Sequence, residues 1–115
     1  MTTVTLYRRG EAFTGFRCEG HAGYADAGHD IVCAGISVLT ITCVNSLELL
    51  AGVTPIVTQE EAKGVLEVQL PDGLTEAQRH DCQLLLSSMH SGLHDLAVQY
   101  PKYLHLFIQD RRKLL

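Results

Sequence analysis

The chain has 115 residues, 46% of them hydrophobic and 19% charged. That is enough for one buried core and too apolar for a disordered segment. Thirteen acidic residues against nine basic ones give a formal net charge of -4, which leaves no basic footprint for direct binding to nucleic acid. The basic cluster Arg111-Arg112-Lys113 stands at the chain end. A solvated tail over about 109–115 is expected there, after a single domain.

In chain order, residues 3–9 alternate, with Val4 and Leu6 on one face and Thr3, Thr5 and Tyr7 on the other. Residues 12–18 continue as a second strand through Phe13, Phe16 and Cys18, after a turn at Arg9-Gly10-Glu11. Residues 20–30, with glycines at 20, 23 and 28, read as a loop. A first helix is predicted from Asp30, as N-cap, to about Leu50 or Ala51, with Gly52 at C′. It is apolar nearly all round, so burial on several sides is expected, by the sheet and by a second subunit. Ile31 to Leu47 carries no charge but holds Gly35, Ser37, Thr40, Thr42, Asn45 and Ser46. It is short for a bilayer span and reads as the buried helix of a soluble protein.

Residues 55–60 and 64–70 predict a second strand pair. Thr75-Glu76-Ala77-Gln78 is a capping box. It opens a second helix with the apolar stripe Cys82, Leu85, Leu86, Met89, Leu93, Leu96 and Tyr100, closed by Pro101. Residues 103–108 read as a last strand. The order ββαββαβ predicts an α+β domain, two helices packed on a mainly antiparallel sheet. No signal peptide is visible at the N-terminus. The four cysteines (Cys18, Cys33, Cys43, Cys82) then point to free thiols in a reducing compartment.

The chemistry concentrates between Gly20 and Ser37. With Asp30 as cap, Cys33 falls in the first helical turn, where unpaired N–H groups and the helix dipole favour a thiolate. The same N–H groups can hold a developing oxyanion. His21, between Gly20 and Ala22 at the end of the second strand, can fold back to Cys33 across a loop of about ten residues. It would then activate the thiol and protonate a leaving amine. Asp30 can cap the helix or orient an imidazole, and Ser37 shares the face of Cys33 one turn on. His29 is either a loop residue or one with a substrate or catalytic role.

Plainer readings use the same residues. Cys33 can be a small buried hydrophobe, the common fate of a free cysteine; Cys18, Cys43 and Cys82 are assigned to the core. Cys18-x2-His21 with His29-x3-Cys33 has the ligand types of a structural zinc site, but an apolar helix of this length needs no zinc staple. His90-x3-His94 lacks a third ligand nearby in sequence. No metal or other cofactor is therefore expected.

The run Gly20-His21, a glycine-rich loop, and Gly28-His29-Asp30-Ile31-Val32-Cys33-Ala34-Gly35-Ile36-Ser37 resembles the signature of the ribosomal-processing cysteine protease Prp family. The likeness continues along nearly the whole chain to about Gln109. It implies a cytoplasmic, homodimeric endopeptidase that removes a short N-terminal extension from a large-subunit ribosomal protein, after a pair of aromatic residues. On that resemblance His21 is the catalytic histidine, Cys33 the nucleophile and Asp30 the motif aspartate. Gly20, Gly23, Gly28 and His29 form a loop that closes over substrate, with Gly23 and Gly28 permitting its motion. Neither nucleic acid nor membrane is an expected partner. The alternative from another class is a non-catalytic module that binds a ribosomal protein during ribosome assembly.

Overall fold

A computed structural model describes residues 1–20 and 27–111, with the backbone alone for 27–30. The elements are β1 (Thr2–Arg9), β2 (Ala12–Gly20), α1 (Ala27–Ala51), β3 (Ile56–Glu60), β4 (Val65–Gln69), α2 (Glu76–Gln99) and β5 (Leu104–Asp110). A three-residue 3-10 turn (Glu61–Lys63) stands between β3 and β4.

The five strands form one sheet in the order β3-β4-β2-β1-β5. The predicted α+β class with two helices holds, but the sheet is mixed rather than mainly antiparallel. β1 pairs with β2, β2 with β4 and β3 with β4 in antiparallel fashion, whereas β5 lies parallel to β1, Thr2 facing Leu104. The parallel pair follows from the connection. α2 intervenes between β4 and β5, and a helical crossover of that length can return the chain in the parallel sense, which a tight turn cannot. Strand β5 also runs two residues past the predicted end. Its continuation is held by the Arg111 amide donating to the Arg8 carbonyl (2.7 Å) and by the Arg111 guanidinium over the Tyr7 ring.

Alternation puts Val4 and Leu6 of β1, Phe16 of β2, Val68 of β4 and Leu104 of β5 on one face, all buried. The helices cover that face. From α2, Cys82, Leu86, Met89 and Leu93 are buried, at the predicted helical spacing. Gln83 ties this helix to β2: its amide accepts from the Phe13 N–H and donates to the Phe13 carbonyl, both at 2.7 Å. The capping box forms as predicted, with Thr75 accepting from the Gln78 amide and the Gln78 side chain accepting from the Thr75 amide.

α1 buries Val32, Ile36, Thr40, Cys43, Leu47 and Ala51, a single stripe at intervals of three and four. Thr40 satisfies its hydroxyl by donating to the Ile36 carbonyl at 2.8 Å. The expectation of burial on several sides is not met within one chain. Ile31, Val38, Ile41, Leu49 and Leu50 are exposed, because one sheet and one neighbouring helix can cover only one flank. The segment Ile31–Ala51 is long and apolar enough to cross a membrane by length and composition. Its inner stripe nevertheless belongs to the core of this domain. At its C-terminal end Gly52 turns the chain in the left-handed region (φ 66°). Its amide reaches the Glu48 carbonyl at 3.1 Å, and the Val53 amide reaches Leu47 at 2.9 Å.

Candidate active site

α1 begins at Ala27, three residues before the predicted start. Asp30 is therefore not the N-cap, and the backbones of Gly28, His29 and Asp30 lie in the first helical turn instead of a loop. Ala27 is a strong helix former, and one glycine costs only about 1 kcal/mol in a helix. That is too little to stop a helix whose next residues are anchored by buried Val32 and Ile36. Two consequences follow. Gly28 cannot serve as a loop hinge while it is helical. Cys33 sits in the second turn, so the N–H groups without intrahelical partners belong to residues 27–30, about one turn away. The dipole fades over that distance. His21 and Gly23, and the side chains of His29 and Asp30, lie outside the described residues.

Cys33 is half-buried and lines a groove of about 310 Å3. One wall is α1, which contributes Cys33, Ile36, Ser37, Thr40 and Ile41. Ser37 does share the face of Cys33, as its spacing predicts. Cys18 and Leu66, paired across β2 and β4, also line the groove, as does Gln59 from β3. The ends of three segments complete it: Thr2 opening β1, Gly20 closing β2, and Gly64 after the 3-10 turn. The groove therefore meets the last residue before His21. Thr2, Ile41, Gln59, Gly64 and Leu66 carry no local signal for a site in the sequence. Ile41 joins Cys33 and Ser37 along one face of α1, and the other four reach the groove only through the strand order.

Of the other thiols, Cys18 is half-buried. Cys43 and Cys82 are buried, as predicted. Burial pushes the Cys43 thiol up to about 11, with Cys82 adding to the shift, and raises Cys82 as well. Cys18 packs against the core while also lining the groove, and burial pushes its thiol up to about 12. None of the four forms a disulfide. Among the described residues no group of three or more His, Cys, Asp or Glu side chains could hold a metal ion. The alternative zinc reading draws on His21 and His29, outside those residues. A larger depression of about 510 Å3 between α2 and β5 is lined by His90, His94, Leu106, Phe107 and Ile108 among others, and it offers imidazoles without a nucleophile.

A half-buried cysteine in the wall of a partly apolar groove is placed to act as a nucleophile on a molecule bound there. The family model described as cysteine protease Prp matches residues 1–105. The chain belongs to the cysteine protease Prp family. It is, as such, a cysteine protease. It is 33% identical over 85 residues to the ribosomal processing cysteine protease Prp of Bacillus subtilis, covering 74% of this chain and 76% of that relative. Its fold matches that of the essential ribosomal processing protease Prp from S. aureus in complex with a substrate peptide. There the TM-score is 0.83 at 26% identity, over 95% of this chain and 100% of that one. The same S. aureus protease with a covalently linked product peptide matches at a TM-score of 0.81 and 27% identity, again over 95% and 100%.

Proposed function

We propose that this chain is a ribosomal-processing endopeptidase that cuts a short N-terminal extension from a large-subunit ribosomal protein by means of a Cys33–His21 dyad. The observation that carries the reading is the groove in which Cys33 of α1 meets Gly20, the residue bonded to His21. The S. aureus relatives bound to a substrate peptide and covalently linked to a product support the same chemistry.

In the proposed reaction the Cys33 thiolate attacks the scissile carbonyl and forms a tetrahedral oxyanion. The unpaired N–H groups in the first turn of α1 are the donors assigned to that charge. Collapse breaks the C–N bond, and imidazolium at His21 gives its proton to the departing amine. Water then attacks the thioester with His21 as base, releasing the acid and restoring the thiol–imidazole pair. Asp30 supports the dyad, and Ser37 lies along the bound chain. The apolar lining from Ile36, Ile41 and Leu66 suits the aromatic pair before the cut. The negative net charge suits a basic ribosomal protein better than RNA.

The acting form is proposed to be a cytoplasmic homodimer without cofactor. Disulfide-free cysteines favour a reducing compartment. Ile31, Val38 and Leu49 are exposed at 57%, 65% and 81%. Their spacings of about two and three helical turns align them in one stripe, which a second copy would cover.

The test is mass spectrometry of a peptide spanning the extension junction, incubated with wild type, Cys33→Ala and His21→Ala. A single cut after the aromatic pair, by wild type alone, is the expected result. A peptide that binds all three proteins and is cut by none would replace this reading with a binding module.

A further inference from the structure

The end of β2 is gripped by backbone on both sides. Gly20 pairs with Thr2 of β1, so closely that a Cβ on Gly20 would stand 2.6 Å from the Met1 carbonyl oxygen and 2.9 Å from Thr2 Cα. On the other side the Gly20 amide donates to the Gly64 carbonyl at 3.2 Å. Gly64 has a left-handed backbone (φ 63°), and a Cβ there would stand 2.1 Å from the Gly20 oxygen. Two glycines thus let three backbones meet where the chain leaves the sheet. Gly64 is held in turn by its own amide donating to Glu61 at 3.1 Å. Gly20, Gly64 and Cys33 all line the same groove.

We infer that Gly64 is a positioning residue: the turn it closes clamps Gly20, and so fixes the point from which His21 is delivered to the Cys33 groove. The inference rests on the proposed dyad. The left-handed C-cap of the turn by itself favours glycine at 64, and the close approach to Gly20 is a separate demand that the turn does not need. β3 and β4 already pair through Glu60 and Val65, and the turn residues 61–64 are exposed. A side chain at Gly64 cannot be relieved by a rotamer change, since the atom it meets is backbone. Gly20 or the turn must shift by roughly 1 Å to restore van der Waals separation. A displacement of that size at a catalytic group can cost about 100-fold in rate.

Gly10 provides the matched control. Its φ is 61°, it lies at the opposite end of β1 from Thr2, and a Cβ there meets nothing within 4 Å. Gly10→Ala and Gly64→Ala carry the same left-handed strain, but only the second collides with Gly20. The experiment measures kcat, KM and the pH profile of Cys33 alkylation by iodoacetamide, in wild type, His21→Ala, Gly64→Ala and Gly10→Ala. Alkylation is read at the Cys33 peptide by mass spectrometry, so it needs no substrate. Gly64→Ala should lose about 10- to 100-fold in kcat with KM within about twofold. Its alkylation profile should move toward that of His21→Ala, while Gly10→Ala keeps the wild-type profile. A Gly64→Ala protein with wild-type kcat and profile would overturn the inference. If His21→Ala itself matches wild type in both, the dyad falls and the inference with it. Should Gly64→Ala not fold, Ala62→Gly loosens the same exposed turn without a clash. It should lower kcat several-fold, and an unchanged kcat and profile would likewise overturn the clamp.

Discussion

Cys18 and Cys33 line one groove and differ in what supports them. Cys18 stands on a central strand between Val4 of β1 and Leu66 of β4, packed against the core, and burial pushes its thiol up to about 12. Cys33 stands on a helix, in its second turn, and is half-buried as Cys18 is, lining the opposite wall of the groove. The strand position disfavours the thiolate by desolvating it against the core. The helix position puts the Cys33 side chain in the wall of the groove beside Ser37, where the proposed reaction requires it. Residue type alone does not decide how reactive a cysteine is; its surroundings do.

The largest expected effect is on thiol chemistry. In the folded protein at about pH 8, iodoacetamide should label Cys33 at least about 100-fold faster than Cys18, Cys43 or Cys82. Peptide mapping after timed quenching reads the four sites separately. Comparable labelling of Cys18 would break the contrast. A smaller effect falls on the core next to Cys18. Phe16, on the same face of β2 two residues away, is fully buried. Phe16→Ala should cost about 3–5 kcal/mol in denaturant unfolding and speed the labelling of Cys18 more than that of Cys33. A loss below about 1 kcal/mol would mean that this part of the sheet is not the core that silences Cys18.

The smallest effect is on stability at high pH. Burial raises Cys18 to about 12 and Cys43 to about 11 from an ordinary 9.0. The unfolded chain therefore loses those protons first as pH rises. Stability from these thiols is complete below about pH 9 and is lost progressively as pH climbs through 11 and 12. Urea midpoints should fall over that window, and fall less in Cys43→Ala. A midpoint that stays flat to about pH 11 would contradict the assigned burial.

Much of the scaffold is legible in the sequence, because its signals are local. The capping box at Thr75, the α2 stripe, the Gly52 stop and the β1 alternation each depend on neighbours within a few residues. The parallel placement of β5 is not local. Its sense follows from the α2 crossover and its position from the open edge of β1, and no periodicity in 104–110 encodes either. The start of α1 was hidden for a different reason. Asp30 is a good capping residue, but favourable packing of Val32 and Ile36 carries the helix three residues past it. The candidate nucleophile and Ser37 were visible as a motif. Their counterparts across the groove, Gln59, Gly64 and Leu66, were not, since strand order alone brings them there. The Gly20–Gly64 clamp likewise joins residues 44 positions apart through two backbones.

The central claim is that Cys33 forms the bond to the substrate acyl group. The most direct measurement is intact-protein and peptide mass spectrometry of an acid-quenched mixture of the protein with the junction peptide. The account predicts a mass increase equal to the acyl fragment, mapped to Cys33, sensitive to hydroxylamine and absent from Cys33→Ala. An adduct on another residue, or cleavage of the peptide by Cys33→Ala, would contradict it.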